Sequence, residues 1–214
     1  KAISGISPPD EGEIVWQGRP VHVRTPKDAA ALGIATVYQD LALCDNLDIV
    51  QNMYLGREIV ARRLLDESAM ELGAKRALAE LSVVTVRSIR QAVGSLSGGQ
   101  RQAVAVAKAV MGNARLVILD EPTAALGVSQ TAMVLDVIAH LAERGVAVLV
   151  ISHNLTDVFA VADYIAVLYL GRIAGSGPAA DFDTHSTVEL ITTGRASRPG
   201  ALVPDTSAVA GAPS

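Results

Sequence analysis

Aromatic side chains are scarce, with Phe, Trp and Tyr together making 3% of 214 residues. Single-stranded nucleic acid binders stack bases on such rings, so that class is nearly excluded. Basic charge is not in surplus: 18 Lys and Arg stand against 22 Asp and Glu, a formal net charge of -4. The phosphate-neutralising surface of a typical DNA or RNA binder is therefore not indicated. A single cysteine, Cys44, makes no intramolecular disulfide and no cysteine-cluster zinc site, which suits a reducing compartment. Long apolar runs are missing too. The stretch 159–170 is broken by Asp163, and 146–152 is only of strand length, against the ~20 residues a spanning helix needs. The first residues show no signal-peptide pattern of basic start, apolar centre and small-residue cleavage site.

What is present is aliphatic. Hydrophobic residues make up 50% and charged residues 19%, which predicts a globular body whose core has few rings. Strand-like and helix-like segments alternate, the pattern of an α/β protein with a largely parallel sheet. Residues 1–6 read as the tail of a helix stopped by Gly5. Strands at 13–16 and 21–24 make a hairpin turning over 17–20. Thr25, Pro26 and Asp28 open a short helix that Gly33 ends, and a strand at 34–38 follows. The segment 46–93 reads as a mostly helical, charge-rich insertion. After it come a helix at 98–111, a strand at 116–119, a helix at 129–144 and a buried β-branched strand at 146–151. Residues 164–168 and 172–174 make a hairpin around Gly171. From 195 to 214 the composition shifts to Ala, Pro, Gly and Ser, read as a disordered tail. The chain opens on Lys1 with its first Met at Met53, so residues 1–194 are read as an N-terminally truncated domain.

Four places carry chemistry. Asp120 and Glu121 follow the apolar run Leu116, Val117, Ile118, Leu119, and ligands of α/β sheets sit at carboxyl ends of strands. Asp120 suits Mg²⁺ and Glu121 suits activation of a water, although an acidic turn before Pro122 uses the same residues. Ser97, Gly98, Gly99 and Gln100 start a helix. Ser97 and Gln100 have capping-box spacing, and two glycines in a first turn leave free N–H groups open to an anion such as phosphate. His153 ends the strand at 146–151, on the same rim as Asp120, where an imidazole suits a hydrogen bond to a transferring phosphate. Gln39 lies just past another strand, and its amide suits Mg²⁺ or water.

In order along the chain, Tyr38-Gln39, Leu96 to Gln100, Asp120-Glu121 and His153 resemble the Q-loop, signature motif, Walker B and switch histidine of the nucleotide-binding subunits of ATP-binding cassette (ABC) transporters. The resemblance covers about Lys1 to Gly194. Asp45-Asn46-Leu47, the run Asn52 to Glu58, and Ala124 to Val128 look most like importers of ribose, xylose, fructose and related monosaccharides. It implies a P-loop NTPase-like α/β fold with a mostly parallel sheet, a helical subdomain at about 46–93 and an antiparallel β hairpin. It also implies ATP and Mg²⁺ as cofactors, with Asp120 and Gln39 at the metal, Glu121 as general base and His153 and Gln39 beside it in catalysis. Ser97, Gly98, Gly99 and Gln100 would contact the γ-phosphate held by an opposing subunit.

The implied partners are membrane permease subunits, a second ABC ATPase subunit in a homodimer and, indirectly, a periplasmic sugar-binding protein, with no nucleic acid. The implied location is the cytoplasmic face of the inner membrane, as a peripheral subunit. Two features depart from the pattern. Gly127 stands where the wider family usually has an Asp that crosses the dimer interface. No G-x-x-x-x-G-K-[ST] loop occurs in the 214 residues, since Lys27, Lys75 and Lys108 follow Pro26, Ala74 and Ala107. The family places that loop upstream of residues 1–6, so the chain as given is expected to be inactive alone. Rival readings are a non-catalytic interaction or regulatory module and a soluble ABC protein acting on nucleic acid or ribosomes.

Overall fold

The structure is a computed structural model that describes residues 1–83 and 86–195. It holds two compact units, Lys1–His153 and Asn154–Ser214, each described by itself. The Ala/Pro/Gly-rich segment expected to be disordered lies, beyond Arg195, outside the described residues.

The first unit opens on a hydrogen-bonded turn. Gly5 N–H donates to Ala2 O and Ile6 N–H to Lys1 O, both at 3.1 Å, with Gly5 at φ 71°. This is the pattern of a helix C-terminus, as the reading of residues 1–6 expects. Only glycine fits there, because a Cβ would lie 2.2 Å from Thr25 O.

Ile14–Trp16 (β1) and Arg19–Val21 (β2) pair antiparallel, Trp16 opposite Arg19. The second strand begins earlier than expected. Gln17 and Gly18 both have positive φ, so a two-residue turn suffices and pairing resumes at Arg19. Pro26–Ala31 (α1) starts as predicted: Asp28 N–H donates to Thr25 Oγ1 at 3.3 Å, and Thr25 N–H to Asp28 Oδ2 at 2.9 Å. Val23, Ala29, Ile34 and Ile118 form a small core here, with Trp16 and Leu116 packed on it.

Ile34–Val37 (β3) enters the sheet. The next segment holds Ile49–Tyr54 (α2), a ribbon of Val60–Ala61 (β4) with Leu64–Leu65 (β5), and Glu67–Glu80 (α3). Helices were expected there, and the ribbon was not. Its turn is Arg62-Arg63 at φ 51° and 69°, positions where Asn or Gly ordinarily signals such a turn. Gly98–Val110 (α4) packs on α2 and α3. Ile49, Met53, Leu81, Val93, Val104 and Val106 are fully buried in this unit, so the core is aliphatic as the composition predicts.

Asn52 is a polar exception at 0% exposure. Its Oδ1 accepts from Cys44 N–H at 2.7 Å, while Nδ2 donates to the carbonyls of Cys44, Leu47 and Asp48 at 2.9 to 3.2 Å. The loop after Gln39 is thereby fastened to α2. An apolar residue at 52 would orphan several of these groups, at about 1–3 kcal/mol each.

Leu116–Asp120 (β6), Val128–Glu143 (α5) and Ala147–Ile151 (β7) complete the unit. The sheet is parallel in the order β3, β6, β7. β6 is central and buried. β7 was expected to be buried, yet Leu149 is 40% and Ile151 47% exposed. Among the described residues β7 pairs on one side only, so its faces gain less cover than those of β6.

In the second unit, Leu155–Val161 (α6) precedes the antiparallel pair Tyr164–Tyr169 (β8) and Arg172–Pro178 (β9), then Thr184–Thr193 (α7). The hairpin around Gly171 is present and longer than read. Ile165, Val167, Phe182 and Leu190 form its core. Neither α6 nor α7 was read from the sequence. No helix among the described residues is long and apolar enough to cross a membrane.

Candidate functional site

Sheet register places the predicted side chains. Val37 pairs with Leu119 and Leu119 with Val150, while Asp120 pairs with Ile151. Within one to three residues beyond Val37, Leu119 and Val150 on these adjacent parallel strands come Gln39, then Asp120 and Glu121, then His153. Neighbouring strands lie about 4.8 Å apart, so these residues share one rim, the carboxyl end of the sheet.

Glu121 leaves the sheet in an unusual conformation. Its φ is 50°, in the left-handed region, and its N–H still donates to Ile151 O at 2.8 Å. A non-glycine residue held so costs on the order of 1–3 kcal/mol, and such strain collects at functional sites. The turn directs Glu121 toward the neighbouring strand end, where His153 Nδ1 lies 2.8 Å from Glu121 Oε1. Glu121 is 22% exposed and His153 83%. The hydrogen bond to Glu121, and then the charge of its carboxylate, raise the His153 pKa above its ordinary value.

That shift fixes a sign. A histidine whose folded pKa is raised gives the pairing its full stabilising effect below the unfolded pKa, and loses it as pH rises through the folded pKa. An NMR pH titration of His153 should therefore show a midpoint above about 6.5, moving down toward it in Glu121→Gln. A midpoint unmoved by that substitution would remove the pairing from solution.

Asp120 is the last residue of β6 and half-buried. No group of three or more His, Cys, Asp or Glu capable of holding a metal occurs among the described residues. That donor set excludes an all-protein cage, yet it fits Mg²⁺, which binds through one or two carboxylates and takes its other ligands from phosphate and water. Asp120, with the Gln39 amide on the adjacent strand end, supplies such a set. Gln39 itself is exposed in the loop after β3.

The helix-start motif lies on another element, at the start of α4. Ser97 N–H donates to Gln100 Oε1 at 3.0 Å and Gln100 N–H to Ser97 Oγ at 3.3 Å, the capping box read from the spacing. The glycines have a second reason the sequence did not reveal. A Cβ on Gly98 would lie 2.7 Å from Leu126 Cδ2, and one on Gly99 would lie 3.0 Å from Gln130 Cβ. The first turn of α4 thus lies close against the start of α5: a side chain at 98 would displace the tip of Leu126, and one at 99 would press on Gln130. Asp45 then ties this turn to the Gln39 loop: its carbonyl accepts from Gly94 N–H at 3.0 Å and its carboxylate pairs with Arg101 at 2.5 Å.

Arg57 and Lys108 were not singled out by sequence reading. Arg57 Nε donates to Met53 O at 3.0 Å, and Nη2 donates to Lys108 O. The guanidinium so spans the ends of α2 and α4, residues far apart in sequence, and local patterning carries no sign of it.

The ABC transporter family profile matches residues 1–124. The chain is 50% identical over 179 residues to the fructose import ATP-binding protein FrcA of Rhizobium meliloti, covering 80% of this chain and 69% of that protein. It is 40% identical over 193 residues to the xylose/arabinose import ATP-binding protein XylG of Sulfolobus acidocaldarius, covering 90% and 76%. Against the ribose import ATP-binding protein RbsA of Rhodopirellula baltica identity is 36%, and the chain spans 37% of that protein's length. Among solved structures, cbiO1 from Clostridium perfringens superposes with a TM-score of 0.71 at 22% identity, over 90% of this chain and 77% of that one. An ATP-binding cassette in its ADP conformation gives 0.73 at 20% identity, over 90% and 77%. Profile, relatives and fold agree, and the chain belongs to the ABC transporter family of ATP-binding proteins.

Proposed function

We propose that this chain is the ATP-binding and ATP-hydrolysing subunit of an ABC importer for a simple sugar. The observation that carries the reading is the alignment of Gln39, Asp120, Glu121 and His153 on three neighbouring strand ends, with Glu121 held by a strained turn against His153. Asp120, with Gln39 beside it, would hold Mg²⁺, which when bound neutralises charge on the nucleotide phosphates. Glu121 takes a proton from the attacking water, and its strained backbone fixes the direction of the carboxylate. His153 keeps Nε2 for the phosphate because Nδ1 is engaged by Glu121. Hydrolysis on this arrangement is positioning and charge stabilisation, as phosphoryl transfer requires.

Ser97, Gly98, Gly99 and Gln100 face the γ-phosphate of a second copy. Their first turn packs against the start of α5 on one side, and its other face is the one read as meeting the second copy of a homodimer. Residues 46–93 form the subdomain that, with the Gln39 loop, meets a membrane permease. The subunit sits peripherally on the cytoplasmic face of the membrane, fed through the permease by a sugar-binding protein. The similarity to fructose, xylose/arabinose and ribose import proteins supports a monosaccharide. A second reading concerns the 214 residues alone. They contain no G-x-x-x-x-G-K-[ST] loop, which favours a polypeptide without ATPase activity of its own.

Co-expression of the chain, joined to an upstream phosphate-binding segment, with membrane and sugar-binding subunits of a monosaccharide importer, followed by uptake of labelled fructose, xylose and ribose into vesicles, tests the importer reading. ATP-dependent uptake of one of them is expected. Assembly without uptake of any monosaccharide would overturn the substrate class.

A further inference from the structure

The ribbon of β4 and β5 carries apolar side chains that stay open to solvent. Every residue from 55 to 65 is exposed, with Val60 at 62%, Leu64 at 74% and Leu65 at 55%. Register assigns these side chains to two faces. Val60 pairs with Leu65 and Ala61 with Leu64, and partners across an antiparallel pair share a side while successive residues alternate. One face therefore presents Val60 and Leu65, and the opposite face Ala61 and Leu64. Apolar surface on both open sides is unlike an ordinary antiparallel sheet, which buries one face and wets the other.

The tip adds charge of one sign. Arg62 and Arg63 make the turn, and neither guanidinium has a hydrogen bond or ion pair among the described residues. The acids nearest in sequence are engaged elsewhere. Glu58 accepts from Gly56 N–H at 3.0 Å, Asp66 accepts from Ala69 N–H at 2.9 Å, and Glu67 pairs with Arg90 at 2.8 Å. In a chain of net charge -4, two unpaired cations thus stand at the end of an apolar projection. Turn geometry does not account for them, since both positions have positive φ, which Asn-Gly adopts with less strain.

The two features point to one partner chemistry. A flat protein surface covers one face of a ribbon and leaves the other wet, and a nucleic acid backbone meets the arginines while the leucines stay exposed. The interfacial layer of a bilayer meets both. Headgroups and acyl chains surround a shallow hairpin on each side, and long arginine stems let guanidinium groups reach lipid phosphates. We propose that the β4–β5 hairpin rests in the interfacial layer of a membrane containing anionic lipid, with Arg62 and Arg63 on lipid phosphates and Val60, Leu64 and Leu65 against the acyl boundary. The inference rests on the importer reading for a membrane close at hand, and adds to it a lipid contact made by this chain's own residues.

The test uses the chain joined to an upstream phosphate-binding segment and protein-free vesicles, either phosphatidylcholine alone or phosphatidylcholine with about 30% phosphatidylglycerol. Co-sedimentation at millimolar lipid should show partition onto the anionic vesicles about fivefold or more above the neutral ones, falling as salt is raised. Arg62→Asn with Arg63→Gly removes both charges and gives the turn its preferred residues, so the ribbon stays formed and partition onto anionic vesicles should fall to the neutral level. Arg62→Lys with Arg63→Lys should retain it. Leu64→Ser should lower partition onto both kinds of vesicle, because it removes apolar surface and no charge. Lys75→Glu, at an exposed cation on α3, should change partition less than twofold. Equal partition of the parent chain onto both vesicles would overturn the proposal, as would full binding by the Asn-Gly ribbon. Variants that keep vesicle binding and instead lose association with a purified membrane subunit would make the ribbon a protein face and overturn it too. The assay holds no permease and no sugar, so its failure leaves the importer reading intact, and a transporter without uptake leaves the vesicle result intact.

Discussion

Glu121→Gln should abolish turnover when the chain is joined to the phosphate-binding segment that its family places upstream, and should leave ATP-driven pairing of two copies intact. The substitution preserves shape and the left-handed backbone, so the rim stays built. On the proposed mechanism it removes the carboxylate that takes a proton from water. General-base catalysis contributes about 10² to 10⁴ in rate, so kcat should fall at least a hundredfold while the nucleotide requirement for dimerisation is unchanged. Steady-state phosphate release and size-exclusion chromatography with ATP give the two readouts. A kcat within threefold of the parent would remove Glu121 from the proton-transfer role, and loss of dimerisation alone would make the residue structural. Glu121→Gly is an informative companion. It relieves the strain at φ 50° and should hold or raise stability while eliminating the same turnover.

Much of this rim was legible in the sequence for a physical reason. Asp120 and His153 each follow a β-branched or aliphatic run, and such runs end where a parallel sheet ends, so strand position alone predicts one face. The capping box of Ser97 and Gln100 was legible for the same kind of reason, because its logic is contained within four residues. The close approach of Gly98 and Gly99 to Leu126 and Gln130 was not, since it depends on two segments that meet only in the folded chain. The β4–β5 ribbon was hidden by its Arg62-Arg63 turn, which uses a backbone shape without the residues that usually announce it. Hidden most completely was the contact of Arg57 with the carbonyls of Met53 and Lys108, because it joins segments far apart in the sequence.

Purified as these 214 residues, the protein should show no saturable binding of Mg-ATP at millimolar nucleotide. The argument follows from the charges on the rim. A millimolar Kd requires about 4 kcal/mol of net attraction. Of the four side chains assigned to the rim, the donors are the Gln39 amide and the imidazole of His153, the latter already engaged at Nδ1 by Glu121. Hydrogen bonds to a charged group are weakened by solvent at exposed positions such as Gln39 and His153. Against them stand two carboxylates, Asp120 and Glu121, facing a polyanion. In nucleotide sites of this chemistry the balance is tipped by a loop of backbone N–H groups and a Lys that cradle the phosphates, and no G-x-x-x-x-G-K-[ST] segment is present in these residues to do so. Magnesium reduces the repulsion at Asp120 without supplying the missing donors. Isothermal titration with Mg-ATP should therefore give only heats of dilution, and addition of the upstream segment should produce a one-site isotherm. A stoichiometric isotherm from the 214 residues alone would mean that nucleotide is held by groups other than this rim, and would move the site to another part of the molecule.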